Sequence, residues 1–246
     1  MNVSYCQRNF EWFKLTNINT IGEIKEIDCT FEIKSSLKDR IEQIREECET
    51  AVREGSTTLI LSDRNISNLR ASIPSILIVG AVHSHLIKNG LRGYCSLNVE
   101  SSDVLDTHSF AILIGVGATT INPYLAIDSI YQRYEKKLFG KSDFESCVKK
   151  FKKSIDSGLL KIMSKMGISV ISSYRGGCNF EAVGLSRGMV SDYFPGMSSR
   201  ISGIGIIGIE KKIKELHIKS SKQNVFILPI GAVSYTHLTL PTNREV

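Results

Sequence analysis

The strongest constraint in this sequence is a rhythm: short apolar, β-branched runs return about every 25–35 residues, with helix-period segments between them. The run Thr-Thr-Leu-Ile-Leu at residues 57–61 has the composition of a strand buried on both faces, and Ser62-Asp63 closes it with side chains that bond to turn backbone. Before it, Ile27, Cys29, Phe31 and Ile33 alternate as one half-buried strand would. Leu37, Ile41, Ile44, Cys48, Ala51 and Val52 then step by three and four residues, the face of a helix that Ser36 would cap and Gly55 would end. A second helix opens at Pro74, with Ser72 as its expected cap and Asn89-Gly90 as its stop. A strand at 94–99, a helix at 108–114 and a short strand at 119–121 follow. This order predicts an α/β fold in which successive β/α units form a parallel sheet or a partial barrel. Asp63, Glu100, Ser101 and Asn122 stand where the strands finish, the edge where parallel α/β folds bind ligands and where any loop is polar in any case.

Beyond Tyr124 the character changes. Two amphipathic helices are expected at 127–138 and 144–155, and the pairs Lys149-Lys150 and Lys152-Lys153 read as a solvated helix face in preference to a docking patch for an acidic partner. Residues 158–208 are crowded with glycine and predict a mostly helical connecting segment of short helices and turns. The 31 Lys and Arg exceed the 25 Asp and Glu by only six charges, spread along the chain, so no nucleic-acid-binding patch is indicated. The longest apolar runs, 76–82 and 111–116, fall short of the roughly 20 residues that cross a bilayer. The first residues, MNVSYCQRNFEWFK, lack the pattern of a signal peptide. Six dispersed cysteines without a C-x-x-C read as buried thiols of a reduced compartment, and the expectation is a soluble cytoplasmic protein without a membrane partner.

Few residues point to chemistry. His83-Ser84-His85 would bind a metal on a strand, but on a helix the two rings stand roughly 200° apart, so no metal site is expected. The stretch Ser173-Tyr174-Arg175-Gly176-Gly177-Cys178 follows an apolar run at 168–171 and precedes an expected helix at 179–184. Strand, glycine turn and helix together present backbone N–H groups to an anion, which makes Arg175, Gly176 and Gly177 the candidate anion-binding residues. Within this glycine turn neither phosphate-loop pattern is present. Cys178 at a helix start could be a nucleophile, but no histidine is placed to serve it. No H-E-x-x-H occurs, and no catalytic residue is assigned.

Several ordered blocks resemble the large chain of the glutamate synthase family, in its central region and the stretch leading into its FMN-binding barrel. They are LILSDRN at 59–65, IPSILIVGAVHSHLIKNGLR at 73–92, FAILIGVGATTINPYLA at 110–126 and GLLKIMSKMGISVISSYRGGCNFEAVGLS at 158–186, continued by Phe194-Pro195-Gly196 and residues 199–205. Roughly residues 24–232 are covered. The resemblance implies an enzyme that moves the amide nitrogen of glutamine through an internal tunnel to 2-oxoglutarate, where reduced FMN converts the imine to glutamate. It further implies that residues 24–138 are the later part of the central domain and 139–232 the connection into the FMN region, with 1–23 matching poorly. The glutaminase domain, the FMN barrel and the cysteines of the 3Fe–4S cluster are expected on flanking parts of a longer chain. This piece would then bind no cofactor itself, and its partners would be those flanking domains and an NADPH-oxidising small subunit. The family often carries three histidines where His83-Ser84-His85 stand, and G-A-Q where Gly177-Cys178-Asn179 stand. Residues 233–246, SYTHLTLPTNREV after Val233, resemble a translated adapter and are expected to be foreign. The alternative reading is a freestanding β/α module that binds a small ligand through Asp63, Glu100 and Asn122.

Overall fold

The computed structural model describes residues 23–177 and 179–221; the expectations for residues 1–22, for Cys178 and for residues 222–246 lie outside them. Among the described residues six strands alternate with seven α-helices. The strands are β1 (Glu23–Asp28), β2 (Thr30–Glu32), β3 (Ser56–Ser62), β4 (Arg70–Ser72), β5 (Ser96–Glu100) and β6 (Thr120–Asn122). The helices are α1 (Leu37–Arg53), α2 (Ser75–Lys88), α3 (Thr107–Val116), α4 (Tyr124–Glu135), α5 (Phe144–Met166), α6 (Arg187–Tyr193) and α7 (Ile206–Ser221). The main sheet runs β1-β3-β5-β6 and every pair in it is parallel, as the β/α rhythm requires. Leu59, Leu61, Leu97 and Val99 are buried in it, packed with Leu37, Ile41, Ile44, Leu77, Ile78 and Val82 from α1 and α2.

Where sequence and structure differ, a side chain or a close contact decides. The single strand expected across residues 27–33 is two strands in two sheets: β1 pairs with β3, whereas β2 pairs antiparallel with β4. The carboxylate of Asp28 accepts from the amide and the hydroxyl of Thr30, at 3.0 and 2.7 Å, and turns the chain between them. Helix α1 is capped by Ser36 as expected. Helix α2 is not capped by Ser72, whose hydroxyl donates to Asp63 and to the carbonyl of Ile73. Asp103, from the loop after β5, accepts from the Ser75 amide at 3.0 Å and the Ser75 hydroxyl at 2.6 Å, a cap supplied from 28 residues away. Helix α5 runs to Met166, so residues 158–166 continue a long helix instead of starting a series of short ones. Gly158 is retained within it because its Cα faces Thr107 of α3.

The later part of the chain folds back over the first. Helix α6 lies on α2, where the Phe194 ring rests over Gly80 and the Ser84 hydroxyl donates to the Asp192 carbonyl at 3.3 Å. Arg45 of α1 donates to the Ala81 carbonyl at 3.3 Å and stacks 4.8 Å from the Tyr193 ring centre. Helix α7 returns to the start of α1: Glu210 accepts from the Leu37 amide at 2.9 Å, and Lys214 donates to the Ser35 carbonyl at 2.8 Å. A Cβ at residue 80 would overlap the Phe194 ring and stand 2.9 Å from the Tyr193 carbonyl oxygen. Gly80→Ala is therefore expected to lower stability by about 1–3 kcal/mol in urea denaturation by forcing α6 away from α2.

Candidate functional site

The parallel register lines up Asp28, Ser62, Glu100 and Asn122 across the carboxyl edge of the sheet. This edge brings together the residues singled out from the sequence. Glu100 accepts from Asn122 at 3.1 Å, from Ser62 at 3.2 Å and from Arg64 at 2.9 Å, and Arg64 in turn stacks 4.3 Å from the Tyr124 ring centre. Asp63 is 4% exposed and turns the other way, its Oδ2 accepting from Ser72 at 3.1 Å and from the Ser102 amide and hydroxyl at 3.0 and 2.6 Å. Ser101 donates to Asp103, the residue that caps α2. Burial, followed by the nearby Asp63 charge, pushes the Tyr124 phenol above its usual range, so it stays a neutral donor beside that carboxylate. Asp63 Oδ1 is buried with no hydrogen-bond partner. Apart from that oxygen, the groups of this edge are spent on one another and on the loops.

The opposite, amino edge of β5 and β6 holds a basic cluster that sequence reasoning missed. Arg92, in the 3-10 turn Arg92–Tyr94, donates to His83 Nδ1 at 3.0 Å, to the Cys95 carbonyl, to the Gly117 carbonyl at 2.9 Å and to Thr119 Oγ1 at 3.3 Å. The His83 ring lies against Gly117, whose φ of 130° and lack of a Cβ permit the approach. Burial first, then the charges of Arg92 and Arg175, lowers the His83 pKa to about 4. The only hint of the cluster in the sequence was the glycine pair Gly115 and Gly117, because the residues that meet there come from four separate elements.

The anion candidates take up a different geometry from the expected one. Residues 168–171 form no strand; Ile171–Ser173 is a 3-10 turn, and residues 179–184 form no helix, with isolated bridges from Glu181 to Ser198 and, just beyond, from Leu185 to Ile204. The Gly176 amide donates to the Gly115 carbonyl at 2.9 Å and the Gly177 amide to the Tyr174 carbonyl at 3.4 Å, so neither is presented outward as a phosphate loop would require. Phe180 rests on Gly115 and meets the Tyr174 ring edge-on at 6.0 Å. Arg175 is left, with its Nε buried and unpartnered. Cys178 itself lies outside the described residues.

His83 and His85 diverge on α2 as the helical geometry requires: His83 bonds Arg92, while His85 Nε2 lies 2.6 Å from Glu49. Among the described residues no three His, Cys, Asp or Glu stand close enough to hold a metal ion, and Cys29, Cys48, Cys95 and Cys147 are buried free thiols. Lys149 reaches Glu145 at 2.8 Å on the exposed face of α5, in keeping with a solvated helix. No described helix is long and apolar enough to cross a membrane.

The described residues form a parallel-sheet α/β unit whose polar strand ends mostly hold loops. Comparison with known proteins assigns it further: the chain belongs to the glutamate synthase central domain family, whose profile matches residues 7–186. It is 55% identical over 209 residues to a glutamate synthase [NADPH] large chain of Azospirillum brasilense, covering 84% of this chain and 14% of that one. It is 42% identical over 197 residues to the corresponding chain of Bacillus subtilis, with 78% and 12% covered. It is 38% identical over 221 residues to a ferredoxin-dependent glutamate synthase of Pyropia yezoensis, with 82% and 14% covered. The chain thus spans between 12% and 14% of the length of these relatives.

The depressed pKa of His83 has a measurable consequence. An unfolded histidine titrates near 6.5, so between about pH 6.5 and 4 the unfolded chain binds a proton that the folded chain refuses, and stability falls as pH drops through that window. Urea denaturation of the chain at pH 7 and pH 5 is expected to show a loss about 1–2 kcal/mol greater than in His83→Asn, which keeps an acceptor for Arg92 but does not titrate.

Proposed function

We propose that this chain is the scaffold between the two reaction centres of a glutamate synthase large chain. Such an enzyme takes the glutamine amide nitrogen, delivers it to 2-oxoglutarate and reduces the imine, giving two molecules of L-glutamate. The observation that carries the reading is the 55% identity that runs across the described α/β unit while covering only 14% of the Azospirillum chain. Residues 24–138 serve as the later part of the central domain and 139–232 as the connection into the FMN region. Leu160, Val170, Ile171, Val183, Ile201 and Ile207 expose apolar surface along that connection, suited to contact with a flanking domain. In this reading the segment also helps enclose the ammonia route.

FMN and a 3Fe–4S cluster are the cofactors this reading requires of the whole enzyme, and the described residues do not fit either. The four described cysteines are buried free thiols, none in a group of three metal-binding side chains, and the glycine-turn amides that would face a flavin phosphate are bonded within the fold. In this reading the flavin chemistry is carried by flanking parts of the parent, with NADPH through a small subunit, NADH or ferredoxin as electron source. The role of this segment is to fix the distance and orientation between those parts.

The test is a graft. Residues 24–232 replace the matching segment of the Azospirillum large chain, and glutamate formation from 2-oxoglutarate is followed with glutamine or with added ammonium as nitrogen source. The expected result is glutamine-dependent synthesis within about tenfold of the parent rate, while the isolated 246-residue chain forms no glutamate and shows no flavin absorbance. A graft that binds flavin and hydrolyses glutamine but makes glutamate only from added ammonium would overturn the tunnel role. A soluble graft lacking both activities would overturn the scaffold role.

A further inference from the structure

The basic cluster at the amino edge of β5 and β6 has more positive charge than its own fold uses. No carboxylate among the described residues pairs with Arg92 or with Arg175, although the described ion pairs involve nine other arginines and lysines. Arg92 is committed: one nitrogen bonds His83, and the others reach the carbonyls of Cys95 and Gly117 and the hydroxyl of Thr119. Arg175 is not committed. Its Nε is shielded from solvent without a partner, a costly arrangement for a cationic donor unless an acceptor completes it.

Backbone geometry holds Arg175 beside the cluster. The Gly176 amide is tied to the Gly115 carbonyl at 2.9 Å, two residues before Gly117, on which the His83 ring lies. Because His83 Nδ1 accepts from Arg92, the neutral ring carries its proton on Nε2, and that N–H makes no hydrogen bond to a described residue. Donors converge here without an acceptor: a guanidinium, an imidazole N–H and the standing charge of Arg92.

We propose that Arg175 and His83, with Arg92 behind them, form a binding site for a small oxyanion, a phosphate or a carboxylate group. The guanidinium supplies paired N–H donors to two oxygens, and the His83 Nε2–H supplies a third. This site uses side chains in place of the backbone amides of residues 176 and 177, and it does not depend on the assignment to glutamate synthase.

The test titrates the 246-residue chain with inorganic phosphate and, separately, with acetate, each against chloride at matched ionic strength. Melting temperature and the ring resonances of His83 are followed, with exposed His108 as internal reference. The expected result is a saturable rise in melting temperature together with a saturable shift of His83 that His108 does not share. Arg175→Gln is expected to weaken the apparent affinity by about tenfold, the loss of a charge-assisted contact. Arg133→Gln, which removes the same charge from the exposed face of α4, is expected to leave it unchanged. A response to phosphate alone identifies a phosphate-bearing ligand, and a response to both anions a general oxyanion site. No response beyond chloride, or one equal in wild type and Arg175→Gln, overturns the proposal and leaves Arg175 as a charge at the end of α3. Should Arg175→Gln fail to fold, the His83 shift in the wild-type chain decides alone.

Discussion

Pairing of β3 on both sides is the constraint on which the structure rests. Its peptide groups bond β1 along one edge and β5 along the other, so it has no free edge, and Leu59 and Leu61 are buried within the sheet. A parallel neighbour cannot be reached by a tight turn; each strand needs a crossover, and those crossovers contain the helices α1, α2 and α3. The register set by β3 then places Ser62 between Asp28 and Glu100 and, through β5, Glu100 beside Asn122. A one-residue slip would turn Leu59 and Leu61 to the opposite face and scatter the polar row.

The two edges of this sheet use their polar residues differently. At the carboxyl edge, carboxylates and hydroxyls satisfy one another and fasten loops, as in the Asp103 cap on α2 and the contacts of Asp63 with Ser72 and Ser102. At the amino edge, positive groups gather without acids, and neutrality at His83 is the price of placing two guanidinium charges beside a buried ring. The close approach depends on Gly115 and Gly117, which let Phe180 and His83 press onto the end of α3. Small residues there determine which side chains meet.

Much of the fold was legible because burial has a period. Ser36 before Leu37, Ile41, Ile44 and Cys48 announced α1 with its cap and burial face, and Thr-Thr-Leu-Ile-Leu announced β3. Local reading failed where a distant residue intervened. Ser72 looked like the cap of α2, but Asp103 reaches the Ser75 amide first and Ser72 turns to Asp63. Residues 27–33 alternated perfectly as one strand, yet Asp28 bends the chain so that Cys29 bonds to the Ser62 carbonyl and β2 leaves for another sheet. The candidate edge residues Glu100 and Asn122 were legible as strand ends; their mutual hydrogen bond was not.

The sequence by itself determined the β/α alternation, the parallel sheet and the family, since each of these is written in local periodicity or in ordered blocks of residues. Only the tertiary structure decided what the polar groups do. It withdrew the Gly176 and Gly177 amides from any ligand by bonding them to Gly115 and Tyr174, and it brought Arg175, Arg92 and His83 together from separate elements. The physical reason is that a hydrogen bond or a charge contact is settled by distance in space, and residues 83, 92, 117 and 175 become neighbours only after the sheet and its crossovers have formed.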